Sequence, residues 1–402
     1  MNDKIKNVIK EYPDQFWLMA FGMLISTIGT SMIWPFMTIY ATEKLGVGLA
    51  VVTGLLSFTS IITLLFSFIA GPIADKIGRK WVMVISLAGN GVCWILLSYA
   101  NSLAAFAILM GLRGVFQPLY QIGSDAMMAD MVLPEKRAQG YSILRMSNNL
   151  GVAIGPAVGG FVTSASYTLA FFLAATGLLT YSALLTFKAK ETLRKDTTIP
   201  DLNERFGGYG QVLNDRPFIN FNLIYAFCFI TASMIWVLLA VYAKQNFGIP
   251  EKIYGFIPTT NAIMVVTLQF FVTRLTVRRN PLFVMAIGAM FYAAASIIIG
   301  FGNGFWFFWL GMVVMTFGEL IMVPTATTFS ANLAPPDKRA RYMSVHGMSH
   351  GISSSIGPFL GGTLNDSISP QAPWFAGGII SLFSGVLFVF LNKNAIKKTK
   401  IG

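Results

Sequence analysis

Apolar residues along the chain gather into long runs separated by short polar clusters. Twelve runs stand out, at 16–40, 49–70, 81–100, 103–128, 141–163, 168–187, 217–242, 253–273, 281–301, 305–330, 342–364 and 372–391. Each is near the ~20 residues that a helix needs to cross a bilayer. The pattern predicts an all-α integral membrane protein with twelve transmembrane helices. Residues 16–40 read as the first span and not as a cleaved leader, because the run is long and Pro13 and Asp14 precede it in place of a basic leader region.

Composition and charge sharpen this picture. Of 402 residues, 55% are hydrophobic and 11% charged, against about 25% charged in a soluble domain. Cys93 and Cys228 both fall inside predicted spans and imply no disulfide. The net charge of +12 raises the question of nucleic acid, but its placement follows topology instead. With the N-terminus inside, 25 of the 29 Lys and Arg residues lie in inner segments, while the outer loops hold Lys44, Lys244 and Lys252, and Arg113 lies in mid-span. This is the positive-inside bias. It predicts a multi-pass protein of the cell (plasma or inner) membrane with both termini cytoplasmic, its basic loops against anionic lipid heads, and no nucleic-acid partner.

The chain also repeats itself. Residues 134–160 read PEKRAQGYSILRMSNNLGVAIGPAVGG and residues 336–362 read PDKRARYMSVHGMSHGISSSIGPFLGG, an ungapped match at an offset of 202 positions. A duplicated six-span unit is the simplest reading. The predicted organisation is a six-helix bundle at 1–187, a cytoplasmic linker at 188–216 containing KAKETLRKD and FGGYG, and a second six-helix bundle at 217–402, the two related by pseudo-two-fold symmetry. Parallel repeats of this kind are a transporter architecture, with the substrate site between the halves near the midplane.

The break between the second and third runs, GPIADKIGRK at 71–80, places Asp75 four residues before Arg79, between Gly71 and Gly78, with Lys80 following. Gly71 is expected to let helices approach closely, and Gly78 to permit a tight turn. An acid and a base here can pair with each other or with a neighbouring helix, and so hold the inner face closed in one state. A plain basic hairpin accounts for Lys76 and Lys80 but not for Asp75. Asp130, near the inner end of span four, is placed to meet Arg79 or Arg137. In GVAIGPAVGG at 151–160, Gly151, Gly155, Gly159 and Gly160 put small residues on one helix face, and Pro156 removes a helix hydrogen bond. This stretch reads as a packing and hinge surface.

Gly71, Asp75, Gly78, Arg79 and Lys80 resemble the loop signature of the major facilitator superfamily. RGVFQP at 113–118 is similar to that family's fourth-helix motif with an intramembrane arginine, and GVAIGPAVGG to the fifth-helix motif of its drug–proton antiporters. The resemblance covers essentially the whole chain and implies a twelve-span secondary transporter whose spans one, four, seven and ten line a central cavity. The second half departs from it, with Val277 in the place of Asp75 within TRLTVRRNP.

Charges inside spans are few and costly, about 2.5–3.5 kcal/mol each on insertion scales. Arg113 and Glu319 lie well inside spans four and ten, and by the resemblance both face the cavity, where Gln117 is the first-half counterpart of Glu319. Glu319 is the leading proton site, with Arg113 and Asp125 as coupling partners; the plainer alternative is a structural glutamate bonded to a neighbouring helix. His346 and His350, one turn apart, either titrate or pack. A polar and aromatic stripe on span seven (Asn222, Tyr225, Phe229, Trp236) and one on span one (Ser26, Thr30, Trp34) are candidate substrate contacts together with Gln117. The expected function is proton-coupled efflux of amphipathic or drug-like compounds. Alternatives are a nutrient symporter, a lipid-type flippase or a non-transporting sensor. There is no phosphate loop ending in GKS or GKT, and no nucleophile–base or metal constellation. The expected protein is therefore not an enzyme, carries no cofactor or metal, and acts as a monomer on a small-molecule substrate and protons.

Overall fold

The computed structural model of the protein describes residues 11–193, 209–335 and 338–401. The first ten residues and linker residues 194–208, with Lys4, Lys6, Lys10, Arg194, Lys195 and Arg205, lie outside the described residues. Among the described residues the chain forms twelve long helices and no strand. In the first half these are α1 (Asp14–Leu45), α2 (Leu49–Ile77), α3 (Arg79–Tyr99), α4 (Leu103–Met131), α5 (Arg137–Ala165) and α6 (Tyr167–Lys188). The second half holds α7 (Arg216–Phe247), α8 (Glu251–Thr276), α9 (Pro281–Phe301), α10 (Phe305–Leu333), α11 (Arg339–Ser367) and α12 (Ala372–Ile401). A short helix, Tyr209–Asn214, ends the linker.

Ten of the twelve are long and apolar enough to cross a membrane. The other two, α5 and α11, are as long at 29 residues each but carry polar residues along their length, among them Asn148 and Asn149 in α5 and His346 and His350 in α11. They are the two helices that contain the sequence repeat. Side-chain caps fix several helix starts: Ser102 accepts from Ala105 N–H (3.2 Å), Ser166 from Leu169 N–H (3.2 Å) and Asp215 from Phe218 N–H (3.3 Å). A 3-10 turn at Trp34–Phe36, containing Pro35, interrupts α1.

Contacts divide the chain into two units, Met1–Met37 with Ile61–Ile199, and Thr38–Ser60 with Pro200–Gly402. The cut therefore falls in α1 and α2 as well as in the linker. Residues 38–60 join the second unit through specific bonds. Thr38 Oγ1 donates to Val237 O (2.9 Å), Ala50 N–H to Asp366 Oδ2 (2.8 Å), and Lys244 Nζ lies 2.7 Å from both Glu43 Oε1 and Glu251 Oε1.

Within the first unit α1 packs on α5 and α6, and α3 on α4 and α6. Within the second, α7 packs on α11 and α12, and α9 on α10 and α12. The duplication thus repeats helix pairing as well as sequence. It extends to single contacts: a Cβ on Gly155 would meet Ile28 and Ser31, and one on Gly357 would meet Ile230 and Ser233. These partners are displaced by the same 202 positions. The glycine face of α5 lies directly on the backbone of α1, where Gly159 abuts Met32.

Gly71 corrects an expectation. A Cβ there would meet nothing within 4 Å, so close helix approach does not require glycine at this position. Gly78 does need its freedom, with φ at +106° where α2 gives way to α3.

A Cβ at Gly159 forces α1 and α5 apart, and overpacking of this kind costs about 1–3 kcal/mol. Gly159→Ala should therefore lower the thermal unfolding midpoint in detergent by several degrees, while Gly71→Ala leaves it in place. Equal midpoints for the two variants would show that the α1–α5 contact yields without cost.

Candidate functional site

The polar break at 71–80 folds into a compact electrostatic knot. Arg79 begins α3 and reaches three partners: Nη2 to Asp75 Oδ1 (3.1 Å), Nε to Asp130 Oδ2 (3.4 Å) and Nη1 to Ala74 O (3.3 Å). Asp130 thus pairs with Arg79, whereas Arg137 turns to the carbonyls of Ala129 (2.8 Å) and Val132 (3.1 Å) that end α4. Lys80 Nζ donates to Thr186 O at the end of α6 (2.8 Å).

A residue that sequence reasoning left unassigned completes this knot. Glu191, just past α6, accepts from the backbone N–H groups of Arg79 (2.9 Å) and Lys80 (3.1 Å). The N–H groups at a helix start have no partner within the helix and carry partial positive charge, so a carboxylate is suited to them. The same carboxylate accepts from the N–H groups of Thr192 (2.9 Å) and Leu193 (3.0 Å), and Thr192 Oγ1 donates to Asp130 Oδ2 (3.1 Å). Gln15 exchanges two hydrogen bonds with the Lys190 backbone, at 2.8 and 2.9 Å. The beginning of the linker is thereby fastened to the starts of α1 and α3 and to the end of α4. An acidic residue flanked by Lys188, Lys190 and Arg194 is the only sequence signal of this role.

The intramembrane charges are held differently. The Arg113 guanidinium lies 3.6 Å from the Trp94 ring centroid, and its Nη1 lies 3.7 Å from Met110 Sδ. Its Nε finds no hydrogen-bond partner, and no acidic side chain pairs with it, among the described residues. A desolvated cation over an indole face is stabilised by up to about 2 kcal/mol, which offsets part of the cost of its depth. Asp125 Oδ2 accepts from Gln121 Nε2 (3.0 Å), one turn away on α4, and Gln117 is exposed. Glu319 is half-buried on α10, and its Oε2 accepts from Asn261 Nδ2 on α8 (2.9 Å). Asn261 Nδ2 also lies 2.9 Å from Thr316 Oγ1. Asn261 was not among the predicted site residues.

On the α7 stripe, Asn222 and Tyr225 are buried at the contact with α10 and α11. Asn222 Oδ1 lies 2.7 Å from His346 Nδ1, and Tyr225 OH lies 3.0 Å from His350 Nε2. Phe229 stands edge-on to His350 with centroids 4.3 Å apart, and Trp236 lies farther along α7, half-buried. On α1, Ser26 is buried and Thr30 half-buried, their hydroxyls donating to carbonyls of their own helix at Met23 (3.1 Å) and Ser26 (3.0 Å). Trp34 is exposed in the 3-10 turn. Among the described residues no group of three or more His, Cys, Asp or Glu side chains is placed to hold a metal ion.

The sequence profile of the Major Facilitator Superfamily matches residues 19–233 and 221–401. The chain is a member of this superfamily. It is 26% identical over 402 residues to a Na(+), Li(+), K(+)/H(+) antiporter of Planococcus maritimus, covering 92% of each chain. It is 23% identical over 380 residues to the multidrug resistance protein MdtH of Photorhabdus laumondii, again covering 92% of each. Its fold is similar to that of a mutant of the peptide transporter POT crystallised with alafosfalin, with a TM-score of 0.79, 17% identity and 95% of each chain covered. The superfamily's twelve-helix arrangement is the one found here, and the chain is a multi-pass secondary transporter of small molecules.

Removing the Glu191 carboxylate exposes the first amides of α3. Loss of a helix cap costs about 1 kcal/mol, so Glu191→Ala should speed hydrogen–deuterium exchange of the Arg79 and Lys80 amides by roughly fivefold. Unchanged exchange in the peptide covering residues 78–82 would show that the linker does not cap this helix.

Proposed function

We propose that this member of the superfamily is a proton-coupled efflux antiporter for amphipathic compounds, working in the cell membrane with both termini cytoplasmic. The observation that carries the reading is Glu319, a carboxylate within a membrane-spanning helix, held through one oxygen by Asn261. A carboxyl group there carries charge when ionised and none when protonated. The ionised form attracts a cationic substrate and the neutral form releases it. A group that holds either proton or substrate, but not both, couples the two flows provided its stabilisation differs between the two states of the transporter. Antiporter and multidrug proteins among the relatives support this direction of transport.

The remaining residues take supporting roles. Arg113 and Asp125 on α4 set the electrostatics of the first unit. Asn222, Tyr225, Phe229 and Trp236 on α7, with Ser26, Thr30 and Trp34 on α1 and Gln117 on α4, contact substrate. The knot of Asp75, Arg79 and Asp130, capped by Glu191 and turned at Gly78, is the inner gate. Lys80 ties it to α6. Gly151, Gly155, Pro156, Gly159 and Gly160 form the packing surface on which α5 moves. The bundles 1–187 and 217–402 exchange access to the two sides as a monomer, with lipid around them and residues 188–216 joining them.

Two variants test the assignment. Glu319→Gln fixes the neutral form, so in proteoliposomes it should abolish uphill transport driven by a pH gradient while downhill substrate exchange persists. Wild-type pumping by this variant would place the proton site elsewhere. Asp75→Asn removes a partly exposed ion pair worth about 1 kcal/mol, and should slow transport roughly fivefold with substrate affinity little changed. A normal rate would reduce the motif to a basic hairpin.

A further inference from the structure

Glu319 shares its face of α10 with Thr316, three residues earlier. Asn261 of α8 bridges the two. Its Nδ2 lies 2.9 Å from Glu319 Oε2 and 2.9 Å from Thr316 Oγ1. Asn261 and Thr316 are both buried. The Thr316 hydroxyl in turn donates to Met312 O, one turn back on α10 (2.7 Å).

That last bond decides how the amide stands. A threonine hydroxyl has one hydrogen, and here it is committed to Met312. Thr316 Oγ1 therefore meets Asn261 as an acceptor only, and Asn261 has to turn its NH2 group, not its oxygen, toward α10. The NH2 group carries two hydrogens, one for Thr316 and one for Glu319. Glu319 Oε2 is thus held as an acceptor. In a neutral carboxyl group the carbonyl oxygen accepts better than the hydroxyl oxygen, so the proton belongs on Oε1.

The frame around this contact is pinned on both sides. Trp309 Nε1 of α10 donates to Thr260 Oγ1 of α8 (3.0 Å), and Gln269 Nε2 of α8 donates to Leu320 O of α10 (3.1 Å). Leu320 O is the carbonyl that Pro324, lacking an N–H, leaves without its usual helix bond. Three bridges therefore set the register of α8 against α10 and keep the amide donor on Glu319. The first half of the chain has no copy of this arrangement. At an offset of 202 positions stand Thr59, Gly114 and Gln117, so the acid, its amide donor and the anchoring threonine are replaced together.

Other titratable groups near Glu319 are few. It is the only one in α10, and α9 offers Tyr292. On α7, Tyr225 is within electrostatic range, and Cys228 meets α10 at Met322 (3.9 Å). On α11, His346 meets α10 at Ser330 (3.1 Å), with His350 one turn beyond. Glu251, Lys252, Tyr254 and Arg274 of α8 stand toward the ends of that helix.

We propose that Asn261 is the positioning residue of the proton site: it confines the proton of Glu319 to Oε1 and, by donating to Oε2, favours the ionised carboxylate over the neutral acid. This rests on Glu319 as the proton site, the reading given above. A hydrogen bond to the charged form of an acid favours that form. The anchored amide makes this bias a fixed property of the fold.

The test reads the carboxyl group itself and needs no substrate. Purified full-length protein in lipid is titrated with pH and followed by difference infrared spectroscopy. The protonated-carboxyl C=O band that Glu319→Gln removes belongs to Glu319. Asn261→Leu, close in size but without a donor, should raise the pH midpoint of this band by about one unit, a tenfold change in proton affinity and the scale of one hydrogen bond to an ionised group. The band should also move to higher frequency, because its C=O loses a donor. Asn261→Ala, which adds no bulk, makes the same prediction and decides the case if Asn261→Leu does not fold. Thr316→Val keeps the shape but lets the amide turn, so its midpoint should rise by less. A midpoint at the wild-type value in the Asn261 variants would overturn the proposal and leave Asn261 as a packing residue. A raised midpoint with an unmoved frequency would place the proton on Oε2 and overturn the assignment to Oε1. An unmoved Thr316→Val band would overturn the anchoring. If Glu319→Gln removes no band, Glu319 does not titrate, and the antiport reading itself fails.

Discussion

A polar group placed in hydrocarbon has to find its partner inside the protein. That constraint shapes every informative position in this chain. Arg113 answers it with an indole face and a thioether, Glu319 with the amide of Asn261, and His346 with Asn222 and Ser330. Serine and threonine hydroxyls along the spans answer it locally, by donating to carbonyls one turn back, as Thr30 does to Ser26 and Thr163 to Gly159. The charged groups that need water or each other are confined to helix ends.

The duplicated sequence sets the helix pairing and then varies it. Glycine contacts of α5 on α1 and of α11 on α7 are the same contacts twice. Against that common frame, differences between the halves become readable. The first half has the Asp75–Arg79 knot where the second has Val277, and the second half has His346 bonded to Asn222 and Ser330 where the first has Leu144, Ala20 and Met128. A protein built from two copies of one unit has therefore placed its polar devices unequally, the ion-paired loop in one copy and the buried imidazole with its bonded partners in the other.

Much of this was legible in the sequence because it is local or compositional. Spans follow from apolar runs, the repeat from an ungapped match, and the Asp75–Arg79 pair from a four-residue spacing on a helix end. What escaped is long-range. Glu191 reaches Arg79 across 112 positions and Asn261 reaches Glu319 across 58, and neither spacing leaves a periodic trace. Trp94 beneath Arg113 is one aromatic among many until the packing of α3 on α4 selects it. Gly71 shows the opposite limit, since a motif position suggested a packing demand that the surrounding space does not impose. The expected cavity stripe on α7 proved partly interior, because a helical period gives the face of a residue but not which neighbour covers it.

The fastening of Glu191 has a consequence for how the two halves can be recombined among relatives. The natural junction for a chimera is the end of α6 at Lys188, where the helix stops. A graft made there would discard Glu191 and Thr192, and the α3 start would lose a carboxylate contributed from beyond the bundle itself. A junction after Leu193 retains it. The portable first half of this transporter is therefore defined by a hydrogen-bond boundary about one turn beyond its last helix.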